Sequence, residues 1–197
     1  MVASGSTVIP PTLLHPPSGP IELSLHAPPR SVLKEFNHIF PEQRLEPPAN
    51  PSAPPGEEVF VIPTIQPSTV GSLLKWDVGG PISAEKDRLL ECFFSFVQTH
   101  LIPSLPPGES GPLLFFDYLD PCSGLPMISD SNRIYDEVES FCALLSYPSS
   151  QAGGCKVFTH PRYGEGGYPA TCFVKGRRED VEAWMGAIVR QFGSRQP

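Results

Sequence analysis

The chain has 197 residues, 40% hydrophobic and 10% aromatic, enough for one domain with a sizeable core. Twenty-one acidic against 14 basic residues give a formal charge of -7, which argues against binding nucleic acid or an anionic membrane, because either needs clustered Lys and Arg. Five cysteines, at 92, 122, 142, 155 and 172, include no CxxC pair, so neither a disulfide framework nor a zinc ribbon is expected, and the thiols read as reduced.

Residues 1–19 are rich in Pro, Ser and Thr and are expected to be a disordered tail. They carry no Lys or Arg and no uninterrupted apolar run, unlike a signal peptide or a mitochondrial presequence. No segment reaches the ~20 apolar residues of a membrane span. A cytoplasmic protein is the simplest expectation, with a mitochondrial fraction left open. One domain is expected over residues 20–192, interrupted by a Pro-rich connector at 46–56 and followed by a short tail at 193–197.

Ile21, Leu23 and Leu25 alternate as on a strand, and Val32, Leu33, Phe36, Ile39 and Phe40 then recur at helical spacing until Pro41. Val59 to Ile62 reads as a buried strand, with Pro63 suggesting an edge or a bulge. Ser83 is a potential cap for a helix bearing Leu89, Leu90, Phe93, Phe94, Val97 and Leu101. Leu113 to Tyr118 predicts a strand running into the turn Asp120-Pro121-Cys122-Ser123-Gly124, whose glycine suits a left-handed conformation.

Ile134, Val138, Phe141 and Leu145 mark the next helix. Cys155 to His160 and Tyr168 to Val174 read as two strands joined in a hairpin by PRYGEGG. Val181, Trp184, Met185, Ile188, Val189 and Phe192 give the last helix its apolar stripe. Elements mix without strict alternation, so the expected class is α+β, a mixed and mainly antiparallel sheet with packed helices.

Chemistry-bearing patterns are sparse. Gly164-Glu165-Gly166-Gly167 opens a strand, whereas a phosphate cradle opens a helix. Cys155 and His160, extended on one strand, would stand about 17 Å apart on opposite faces and cannot pair. A lone Cys-x4-His leaves a zinc site half empty. Cys92, Cys142 and Cys172 read as core or interfacial residues. Cys155 differs, because Ala152-Gly153-Gly154 keeps bulky neighbours away from its sulfur.

Three blocks, IELSLHAPPRSVLKEFNHIFPE, LFFDYLDPCSGLPMIS and AGGCKVFTHPRYG, resemble the methylmalonic aciduria and homocystinuria type D (cblD) family of cobalamin-trafficking adapters. The likeness spans about residues 20–192. Leu33, Lys34, Phe36, Phe40, Pro41 and Glu42 match the family's entry helix, Asp120, Pro121, Ser123, Gly124 and Leu125 its DPxSGL turn, and Lys156, Val157, His160 and Gly164 the block around and after its cysteine. The resemblance implies a nitroreductase-like α+β fold without flavin and an adapter that is not an enzyme. It further implies docking on the cobalamin-processing methylmalonic aciduria type C protein, and passage of cobalamin toward methionine synthase and methylmalonyl-CoA mutase.

In that family a cysteine of a Gly-Cys-Cys-Lys block places its thiolate on the cobalt of partner-bound cobalamin, as suits a soft, electron-rich ligand. Here the block reads Gly153-Gly154-Cys155-Lys156. The family's cobalt-facing cysteine aligns with Gly154, and only the second aligns with Cys155. A one-residue offset on a strand reverses the face a side chain uses, so either the diglycine lets Cys155 swing into place or this chain docks without a cobalt bond. The turn residues read as scaffold, with Asp120 bonding turn amides, and His160 as a strand-end hydrogen-bonding residue. Two alternatives remain: a flavin-dependent reductase on the same fold, which would be yellow, and a scaffold that has lost the cobalamin role.

Overall fold

The computed structural model describes residues 5–45, 56–75, 77–108, 111–112 and 114–193. In chain order its elements are β1 (Ser6–Leu14), β2 (Ile21–Ala27), α1 (Arg30–Ile39), β3 (Glu58–Pro67), α2 (Pro81–Phe96), the two-residue strands β4 (Pro107–Gly108) and β5 (Gly111–Pro112), β6 (Phe115–Tyr118), α3 (Glu137–Leu145), β7 (Ser149–Ala152), β8 (Cys155–Phe158), β9 (Gly167–Gly176) and α4 (Arg178–Phe192). The main sheet runs β1-β2-β3-β9-β6, and every pairing in it is antiparallel. The class is therefore α+β with a mainly antiparallel sheet, as the mixed element order predicts.

The sheet is covered on both faces, which is why its central strands are apolar without alternation. On β3 and β9, Phe60, Ile62, Cys172 and Val174 face Phe93 and Phe96 at the end of α2 and Val97 just after it, together with Val181, Trp184, Met185 and Ile188 of α4. The intervening Val59, Val61 and Phe173 face Val32, Phe36 and Ile39 of α1, plus Tyr135. Farther along that second face Ile65 meets Phe141 of α3 and Phe158 of β8. Period-2 alternation thus sorts each strand residue to one helical layer or the other.

Several expectations need correction. Residues 6–14, expected within a disordered tail, form β1 and pair with β2. Pro10 and Pro11 are tolerated because β1 is an edge strand whose register shifts between Ile9 and Thr12, where no ladder donor is required. Pro63 does not mark an edge. β3 lies inside the sheet, unbroken against β9, and the missing donor falls where its register with β2 lapses between Leu23↔Thr64 and His26↔Val61.

Ser83 is not the cap of α2. Pro81 opens that helix, and the Asp77 carboxylate accepts from the amides of Ile82 (2.8 Å) and Ser83 (2.9 Å). Ile134 precedes α3 and stands exposed, while Asp136 caps the helix by accepting from Glu139 N at 3.0 Å. The expected connector at 46–56 and tail at 193–197 fall largely outside the described residues.

Candidate functional site

Cys155 does not lie on a hairpin with the Tyr168 strand. Its strand β8 pairs with β7 in a separate two-stranded sheet, Ala152 opposite Cys155, while β9 sits in the main sheet. The reason is the Gly153-Gly154 pair, a two-residue turn that the SSQA segment on one side and CKVF on the other close upon. Gly153 takes φ +60, a conformation that glycine adopts without strain, whereas Gly154 lies outside the left-handed region. A Cβ on either residue would meet nothing within 4 Å.

Replacing Gly153 by alanine is therefore expected to cost about 1 kcal/mol, and Gly154→Ala to stay within about 0.5 kcal/mol of wild type. Urea denaturation of the two variants checks this. Because residue 154 belongs to the turn rather than the strand, the face reversal expected from the one-residue offset does not arise. Positions 154 and 155 share one exposed tip.

The base of the hairpin is anchored and its tip is free. Lys156 forms an ion pair with Glu139 of α3, and Phe158 stacks on Phe141 of the same helix at 5.2 Å. Alternation then turns Cys155 and Val157 away from α3. Cys155 is exposed, as are Gly153, Gly154 and Lys156. The strand end is held by His160, which is buried against Glu22 of β2. His160 Nδ1 accepts from the amides of Arg162 (3.1 Å) and Tyr163 (3.0 Å), so its Nε2 carries the proton donated to Glu22 Oε1 at 2.8 Å. His160 is thus a structural latch and not a partner of Cys155.

The DPCSG turn lies at the entrance to α3. Asp120 Oδ1 accepts from Cys122 N (3.0 Å), Oδ2 accepts from the Ser123 hydroxyl (2.7 Å), and Gly124 takes φ +72, as its sequence predicts. Between this turn and Ile134, Tyr135 and Glu137 is a cavity of about 210 Å³. The Thr171 hydroxyl donates to Glu137 Oε1 at 2.8 Å. Enclosure of the carboxyl, with Asp120 adding repulsion against that hydrogen bond, pushes Glu137 up to about 7. Cys122 is exposed with its sulfur 3.7 Å from the Tyr168 hydroxyl, whose acidity burial lowers first and the thiol second.

Sequence reasoning did not find Glu137. It lies in an acidic helix start, where Asp and Glu are common for dipole reasons alone, and only its tertiary neighbours distinguish it. Cys172 is fully buried and burial raises its thiol, consistent with a core residue. Among the described residues no three of His, Cys, Asp and Glu gather as a metal site. Among the described residues, too, no helix is long and apolar enough to cross a membrane. No protein-family model and no curated protein matches this sequence.

Proposed function

We propose that this chain is a non-enzymatic adapter for cobalamin, on a nitroreductase-like fold that carries no flavin. It docks on the cobalamin-processing type C protein and offers the Cys155 thiolate to the cobalt of the cargo that partner holds. The cargo then passes toward methionine synthase and methylmalonyl-CoA mutase. The reading rests on the sequence resemblance, and one observation carries its chemistry: Cys155 sits exposed at the unpacked tip of a hairpin whose far end packs Phe158 on Phe141. Bonding that sulfur to a metal disturbs no core contact. A corrin supplies the equatorial ligands itself, so a single protein thiolate completes an axial position.

The exposed turn also suits the cargo's bulk. Neither glycine brings a side chain between the sulfur and an approaching ring. Adding this protein to partner-bound cob(II)alamin is expected to change the absorption spectrum with one-to-one stoichiometry. Cys155→Ser should abolish the change and leave complex formation on a sizing column intact. Identical spectra for wild type and Cys155→Ser exclude the thiolate bond, and a change lost only in Cys122→Ser assigns it to the other exposed sulfur.

A further inference from the structure

Three of the large apolar side chains most exposed on the described surface lie within eight residues: Met127 (45%), Ile128 (55%) and Ile134 (68%). They follow the DPCSG turn, and Ile134 forms part of the wall of the 210 Å³ cavity. Residues 120–139 also hold five acidic side chains, of which Glu139 is paired with Lys156, and one basic one. That single cation, Arg133, is already engaged with the His38 carbonyl at 2.7 Å. Among the described residues neither Asp120 nor Glu137 has an ion-pair partner.

We propose that residues 120–139 form the docking face for a basic protein partner, and that the cavity between the DPCSG turn and α3 receives one arginine or lysine side chain from it. The inference deepens the adapter reading above and rests on it for the partner's existence. Its physical logic is charge complementarity around an apolar rim. A long basic side chain lays its methylene stem along Ile134 and brings its head to Asp120 and Glu137. The cavity is too small for a drug-sized ligand and suits one side chain.

Glu137 gains the most, because enclosure without a counter-charge holds it half protonated near neutrality, and an arriving cation restores the ionised form. Met127 and Ile128 supply the water-excluding surround that makes a central arginine count.

The test has two arms. In the first, the type C protein is titrated calorimetrically into wild type, Glu137→Gln and Ile134→Ser. Glu137→Gln keeps an acceptor for Thr171 and removes the charge, and Ile134 is exposed, so both variants should fold. Each is expected to bind at least about tenfold more weakly, and wild-type binding should weaken as NaCl rises. Wild-type affinity in both variants overturns the docking face and leaves the adapter reading standing.

In the second arm the Glu137 side-chain carbon is followed by NMR against pH, with N-acetyl-arginine methylamide or its norleucine counterpart added. The arginine probe alone should drive the signal to its ionised position at pH about 7. If wild type fails to bind the type C protein, the adapter reading falls and this arm decides the face: a shift specific to arginine supports it, and titration curves identical for the two probes overturn it.

Discussion

Asp117→Ala is expected to cost about 3–5 kcal/mol of folding stability. Asp117 is fully buried on β6. Its Oδ1 accepts from the amides of Tyr118 (2.7 Å), Met127 (3.2 Å) and Ile128 (3.1 Å), and its Oδ2 from Ser129 N at 2.8 Å. One carboxylate therefore holds the segment after the DPCSG turn against the sheet. Truncation leaves several of those donors facing a void, each costing about 1–3 kcal/mol if water cannot reach it. Met127 N has a second acceptor, Tyr118 O at 2.9 Å.

Asp117→Asn keeps one acceptor oxygen and brings an NH2 group toward backbone donors, so about 2 kcal/mol is expected. Urea unfolding of the three proteins measures both. An alanine variant within about 1 kcal/mol of wild type would mean that the segment is not held by this carboxylate. Because Met127 and Ile128 lie on the held segment, the same variant should also weaken partner docking.

The second large effect is a stability profile that stays flat because two groups oppose each other. His26 is buried between Ser24 and Thr7, and burial lowers it to about 4. Between pH about 4 and 6.5 the unfolded chain binds the His26 proton and the native chain does not, so His26 makes stability rise with pH. Glu137 is raised to about 7 by enclosure. Between pH about 4.5 and 7 the native chain holds that proton and the unfolded chain does not, so Glu137 makes stability fall as pH rises.

Each contribution reaches about 3 kcal/mol over its full window, at 1.36 kcal/mol per unit, and across pH 4.5–6.5 they cancel. Glu137→Gln removes one and exposes the other. Its stability is expected to climb by about 2–3 kcal/mol from pH about 4.5 to about 6.5, while wild type stays level. Below that window wild type should begin to weaken as pH falls, because the Arg88 hydrogen bond above all, with help from Thr69, holds Glu85 down at about 2. Parallel profiles for wild type and Glu137→Gln in urea titrations would contradict this account.

What the sequence disclosed follows from the range over which each signal acts. The last helix read correctly because its stripe is local: Val181, Trp184, Met185 and Ile188 are buried as their spacing requires, whereas Ile134, assigned to the preceding helix by the same kind of spacing, stands exposed before it. The Asp120–Gly124 turn was equally local, its geometry contained in five residues. β1 was hidden because two prolines mimic disorder, and their cost vanishes only when a neighbouring strand makes them an edge. The partner of β8 was misread because both SSQA and the Tyr168 strand are extended, and only the diglycine turn favours the nearer one.

Glu137 and Asp117 were beyond reach for a different reason. A carboxylate in an acidic helix start or in a strand carries no local mark of burial. Its environment is assembled from Thr171 and the DPCSG turn in one case and from the amides of residues 127–129 in the other. Cys155 stood out in the sequence through its glycines, and its exposed place at the hairpin tip agrees with that reason.

The central claim is that the Cys155 sulfur bonds the cobalt of cobalamin held by a partner protein. In cob(II)alamin the unpaired electron lies along the axis on which an axial ligand bonds, so electron paramagnetic resonance reports that ligand's identity. The account predicts that wild type converts the spectrum of partner-bound cob(II)alamin to that of a sulfur-ligated centre, and that Cys155→Ser leaves it as it was. A wild-type complex whose spectrum matches that of the partner alone would contradict it.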